Sequence, residues 1–156
     1  MPSEKLLLAI LTGLVTLTPA SYAAEGVVNR TATCGCCHLW VEYMQEQGFQ
    51  LQDQIVEQSE LMTIKENFGL PGEGAACHTA EIDGYLVEGH VPAFAIERLL
   101  SEKPEGVRGV VVPGMPPQSP GMGGPLVEYD VFLLSDEGEL TPWLRARGSE
   151  EVILEP

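Results

Sequence analysis

Residues 33–47 read TCGCCHLWVEYMQEQ, three cysteines in a loop followed by an amphipathic run. Thr31 to Gly35 is read as a loop. Cys36 or Cys37 then opens a helix in which Leu39, Trp40, Tyr43 and Met44 recur at helical spacing. Gly48 supplies its stop. Upstream, Val27 and Val28 mark a short strand. Downstream, residues 49–56 (FQLQDQIV) alternate apolar and polar and predict a second strand. Ser59 is placed to cap a second helix, ELMTIKENF, which Gly69 ends. After the loop Pro71-Gly72-Glu73-Gly74, two short strands around Ala80 to Ile82 and Tyr85 to Val87 flank Asp83-Gly84, a strong hairpin signal. Pro92 fits the first turn of a third helix, AFAIERLLSE. Val110 to Val112 is a candidate strand, and Pro113 to Pro125 is a long Gly/Pro/Met loop. Val131 to Leu134 and Leu140 to Leu144 predict a second hairpin around Asp136-Glu137-Gly138. The acidic end from Glu150 to Pro156 reads as a loose tail.

The order is strand, cysteine loop, helix, strand, helix, hairpin, helix. It resembles a thioredoxin-like α/β domain of the glutaredoxin kind, with an added Met/Pro/Gly loop and a C-terminal hairpin. In that fold the loop before the central hairpin faces the N-terminus of the first helix. The resemblance therefore implies that Cys77, in Ala76-Cys77-His78-Thr79, sits against Cys34, Cys36 and Cys37.

The chain has 156 residues, with 23 acidic and 8 basic side chains and a net charge of −15. A nucleic-acid binder needs a cationic footprint, and this composition is the opposite. Anionic membrane surfaces are equally unsuited as partners. Leu6 to Leu17 is apolar but too short to cross a bilayer, which takes about 20 residues. It follows Lys5 and precedes Ser21-Tyr22-Ala23, a small-x-small cleavage signal. The division read from this is a signal peptide over 1–23, cut after Ala23, a metal-binding domain over 24–147 and an acidic tail over 148–156. No membrane association is expected after cleavage. The expected compartment is a bacterial periplasm, where cysteines meet oxidising conditions.

Cys34-Gly35-Cys36-Cys37 parses in three ways. As C-x-C-C, joined by Cys77, it is a dense sulfur set, and thiolates favour Cu(I) and Zn(II) over hard ions. The helix N-terminus stabilises thiolate charge. Adjacent Cys36 and Cys37 do not easily share one tetrahedral ion, which favours bridging thiolates and more than one Cu(I). Zinc is the rival metal, although structural zinc sites usually draw two ligands from each of two knuckles. As Cys34-x-x-Cys37 the motif is a thiol–disulfide pair, the alternative reading of an oxidoreductase. Cys36 and Cys77 argue against simple exchange, because extra thiols trap mixed disulfides. A milder form is compatible with metal binding: the empty site closes disulfides and reduction arms it. As Cys34-x-x-Cys37-His38 it matches a c-type haem signal, with Met115 or Met122 as distal ligand. That leaves Cys36 and Cys77 unexplained.

His78 and His90 are candidate accessory ligands, the first beside Cys77 and the second in Glu88-Gly89-His90-Val91-Pro92. Met115 and Met122 lie among glycines and prolines, where neither can be a helix-core residue. Thioethers suit Cu(I), and flexible apolar filler is the competing role. Met44 and Met62 read as core.

Taken together, Thr33 to Cys37, Cys77-His78-Thr79, Asp83-Gly84-Tyr85, Glu88 to Pro92, Pro113 to Pro116 and Ser119 to Met122 resemble the CopG-like family of small periplasmic copper-resistance proteins. The resemblance spans about Val27 to Leu134. It implies a thioredoxin-like fold, cysteine-based copper binding and redox interconversion of copper. The acidic surface suits cations and a cationic partner, expected as a periplasmic copper transport or efflux protein. Gln118 departs from the glycine expected in the methionine loop.

Overall fold

Successive side chains of a strand point to opposite faces, and one small apolar residue from each of four neighbouring strands forms a buried row across the sheet. Val28 pairs with Ala80, Ala80 with Val87, and Val87 with Val110. All four are fully buried. The computed structural model describes residues 23–153. The predicted signal peptide falls almost wholly outside them.

The elements in order are β1 (Glu25–Arg30), α1 (Gly35–Glu46), β2 (Gln50–Ile55), α2 (Gln58–Asn67), a 3₁₀ turn (Gly72–Gly74), β3 (Thr79–Ile82), β4 (Tyr85–Glu88), α3 (Ala93–Glu102), β5 (Val107–Val111), β6 (Glu128–Ser135), β7 (Leu140–Arg147) and β8 (Glu150–Glu151). One eight-stranded sheet runs β2-β1-β3-β4-β5-β6-β7-β8. β1 is parallel to β2 and antiparallel to β3; β4 is parallel to β5. The fold is thus mixed α/β, with three α-helices among the described residues.

The main core joins the valine row to Trp40, Val41 and Met44 of α1 and Ile96 and Leu99 of α3. Leu86, Val111 and Leu134 form a second cluster with Phe68 and Leu70, just beyond α2. Leu86 is next to Val87 in β4, so the two clusters use successive, oppositely directed side chains of one strand.

Local chemistry explains the boundaries. Asp83 and Gly84 both have positive φ, 48° and 84°, as a tight β3–β4 hairpin requires. Gly48, at φ 94°, ends α1. Three expectations shift. Helix α1 opens at Gly35 rather than at Cys36 or Cys37, which puts Cys34 at the N-cap. Helix α2 starts before Ser59: Glu57 is its N-cap and its carbonyl accepts from Leu61 N–H at 3.0 Å. Pro92 caps α3 rather than occupying its first turn.

The acidic end also differs from a loose tail at its start. Glu150 and Glu151 form β8 against Arg147 and Ala146. Arg98 of α3 donates to both carboxylate oxygens of Glu151, at 3.0 and 2.7 Å. A bidentate arginine–carboxylate pair adds geometric specificity to the strand pairing.

Candidate metal centre

The first turn of α1 carries Cys36 and Cys37, with Cys34 at its cap. Cys37 is buried and joined to Cys34 by a disulfide, with Cα atoms 5.3 Å apart. Cys36 is free and half-buried, and its Sγ lies 3.6 Å from that of Cys34. Across the site, Cys77 is free and half-buried in the loop that leads into β3. The four sulfur atoms all lie within 4.8 Å of one another. A second group overlaps it: Cys77, His78 and His90 also offer ligand atoms within 4.8 Å of one another.

His90 sits between β4 and α3, fully buried. Its Nδ1 is 2.7 Å from the carbonyl oxygen of Pro120. A carbonyl only accepts, so this contact places the ring proton on Nδ1 and leaves a lone pair on Nε2. Nε2 in turn lies 3.0 Å from Cys77 Sγ. This is the arrangement in which an outer contact orients a ligating imidazole.

His78 is fully buried beside it, 4.5 Å from the Trp40 ring and 5.0 Å from that of His90, centroid to centroid. Its Nδ1 is 3.6 Å from Cys77 Sγ, and its Nε2 has no hydrogen-bond partner. A buried polar atom without a partner costs about 1–3 kcal/mol. Burial, then the neighbouring His90, Lys65 and Arg30, hold the His78 pKa well below its usual value. Burial lowers that of His90 too, against the Pro120 contact. Both rings are therefore neutral at pH 7, the form that binds metal. Burial and the adjacent Cys36 push the Cys77 thiol up to about 12. A metal ion arriving here must displace that proton.

The methionine loop closes over the same corner. Gly121 has φ 83°, and a Cβ there would lie 2.7 Å from both Cys36 O and Trp40 N. Only glycine allows that approach to α1. Met122 follows it, half-buried, with its N–H donating to Ser119 O at 2.8 Å. Gly114 N–H donates to Ala75 O beside the Cys77 loop, and Met115 follows, 54% exposed. Gln118 adopts φ 61°, a glycine-like conformation, and its Nε2 donates to Gly124 O at 2.5 Å. Residue 118 thus takes a backbone path that glycine adopts freely.

His38 points elsewhere. Its ring nitrogens lie 3.5 Å from Glu42 and Asp53 carboxylate oxygens. The haem reading needs this ring as an axial ligand and both Cys34 and Cys37 as free thiols.

Sequence reasoning passed over one feature. Lys65 and Glu88, both buried, form an ion pair behind the Cys77 loop. The signal was present in YLVEGH, residues 85–90, where a charged residue ends an apolar strand.

Fold and site together define a mixed α/β protein with a sulfur-rich centre suited to a soft metal. A family model described as protein of unknown function DUF411 matches residues 74–122. Two solved structures of "copper resistance protein CopG", forms 2 and 1, are similar over most of the chain. Each is 34% identical; the matches cover 85% and 84% of this chain and 100% and 98% of those, with TM-scores of 0.71 and 0.70. No curated protein matches. The chain belongs to the family of these CopG proteins.

Proposed function

We propose that this protein is a periplasmic copper-binding protein that sequesters, transfers or redox-converts copper in copper resistance. The observation that carries the reading is the convergence of the Cys34, Cys36, Cys37 and Cys77 sulfurs within 4.8 Å. Soft thiolates in that density select Cu(I), and the name of the similar solved structures points to the same metal. Copper is the cargo in this reading, and zinc is the weaker alternative.

In the reduced protein the four thiolates bridge more than one Cu(I). His90 and His78 complete the set from the sheet side, and Met115 and Met122 complete or cover it from the loop. The structure holds Cys34 and Cys37 as a disulfide, so the site is armed by reduction. An external dithiol supplies two electrons and two protons, its own sulfurs form a disulfide, and Cys34 and Cys37 become thiols. Copper binding then releases thiol protons.

Strands β1–β4 with α1–α3 are read as the thioredoxin-like unit, and β5–β8 as its extension. Export rests on the leader up to Ala23, with the domain over 24–147 and the acidic segment after it. Among the described residues no helix is long and apolar enough to cross a membrane. The −15 charge favours cations and a cationic transport or efflux partner.

A second reading is a thiol–disulfide oxidoreductase using Cys34 and Cys37, favoured by the disulfide itself. Anaerobic titration of the reduced mature chain with Cu(I), against a calibrated chelator, separates the two. Tight binding of more than one copper per chain supports the copper reading. Weak binding, with a readily exchanged Cys34–Cys37 disulfide, supports the oxidoreductase.

A further inference from the structure

Lys65 on α2, Thr79 on β3 and Glu88 on β4 form a closed ring of contacts, and all three are buried. Lys65 Nζ donates to Thr79 Oγ1 at 2.7 Å and to Glu88 Oε1. Thr79 Oγ1 donates to Glu88 Oε2 at 2.6 Å. The remaining contact leaves the ring: Ala76 N–H donates to Glu88 Oε1 at 2.7 Å. Ala76 immediately precedes Cys77.

Burying two charges is costly, and an apolar pair of similar volume is often as stable. Stability alone therefore does not account for charges at these positions. Their geometry does. Glu88 grips the backbone just before Cys77, while His90, two residues further along the same strand end, contacts the Cys77 thiol at 3.0 Å. Gly89 between them has φ 74°. A Cβ there would lie 2.6 Å from that of Ala76, so the Cys77 loop presses directly on the chain between the two holding residues. Gly114 N–H to Ala75 O and Gly89 N–H to His78 O add backbone-to-backbone contacts to this loop.

We infer that Glu88, held by Lys65 and Thr79, is the positioning residue for Cys77: it anchors the loop through Ala76 N–H and so sets where the fourth sulfur stands. Lys65 and Thr79 donate to the carboxylate and so aim it at the Ala76 N–H. The copper consequence rests on the function proposed above; the effect on the thiol does not.

The test uses the mature chain in a Cys36→Ser background, where the Cys34–Cys37 disulfide leaves Cys77 as the free thiol. Lys65→Met/Glu88→Leu removes both charges and the acceptor for Ala76 N–H. Lys65→Met/Glu88→Gln removes the charges and keeps an acceptor. Urea unfolding reports stability, and iodoacetamide alkylation reports the Cys77 position. The leucine variant should fold and alkylate on the order of 10-fold faster than its background, while the glutamine variant restores most of the original rate. In the otherwise wild-type, reduced protein the leucine pair should weaken Cu(I) binding about 10-fold, the usual scale for outer-contact residues of metal ligands. If the leucine variant does not fold, the glutamine variant alone should alkylate measurably faster than the background, because an amide is a weaker acceptor than a carboxylate. A folded leucine variant with unchanged alkylation overturns the inference, as does an unchanged glutamine variant when the leucine one fails to fold. Faster alkylation with unchanged copper binding upholds the positioning role and counts against Cys77 as a copper ligand.

Discussion

Cys77 Sγ stands 3.0 Å from His90 Nε2, and the opposite nitrogen of the same ring is fixed 2.7 Å from Pro120 O. One imidazole thus ties a cysteine from the β3 loop to the methionine loop. His90→Phe keeps the bulk and removes both contacts. It should weaken Cu(I) binding by about 10-fold or more, the scale for losing an oriented ligand or its support. Chelator competition on the reduced protein reads this. An unchanged affinity removes His90 from the site.

The cysteines separate the two functional readings. Cys36→Ser and Cys77→Ser should each lower copper stoichiometry or affinity, while leaving the Cys34–Cys37 disulfide able to form and be reduced. Copper titration beside thiol counting checks both arms. Full copper binding in both variants contradicts a four-sulfur site.

Gly121 provides a test of the loop's seat. Gly121→Ala places a methyl group 2.7 Å from the Cys36 O and Trp40 N backbone atoms, which cannot swing aside, at φ 83°. Gly48, at φ 94° with nothing within 4 Å, is the matched control for backbone conformation alone. Gly48→Ala should cost about 1 kcal/mol. Gly121→Ala should cost about 1–3 kcal/mol more, as overpacking does, and should also weaken copper binding. Urea midpoints and the copper titration give both numbers.

Much of this was legible in the chain itself. Helix α3 was readable because the amphipathic run AFAIERLLSE follows Pro92. Asp83-Gly84 announced its hairpin, because few other pairs accept two positive φ angles. Cys77 was expected opposite α1 because it precedes that hairpin, and its sulfur does converge with the other three. What escaped depends on contacts between distant segments. The Lys65–Glu88 pair joins residues 23 apart through burial that no local pattern encodes. Strand β8 pairs with β7 and carries Glu151, which Arg98 grips from another element. Ser59 lost the cap because capping preference is a small energy, overridden by where α2 must pack.

Asp53 gives a pH dependence. Arg30 binds its carboxylate through Nε and Nη2 at 2.7 and 2.6 Å and, with a smaller contribution from His38, lowers its pKa against the effect of burial. A lowered folded value means stability that is present above the unfolded pKa, about 3.9, and lost as pH falls through the folded one. Asp53→Asn should therefore cost about 1 kcal/mol at pH 7. The difference from wild type should shrink as acid protonates Asp53. Urea unfolding at pH 7 and near pH 3 checks this; a constant gap contradicts it.

The most direct test of the copper centre is X-ray absorption at the copper edge on the reduced, Cu(I)-loaded mature chain. A bridged thiolate centre predicts sulfur as the dominant copper neighbour with a second copper just beyond it, and loss of that copper neighbour in Cys36→Ser. A first shell of nitrogen and oxygen alone, with no copper neighbour, would contradict it.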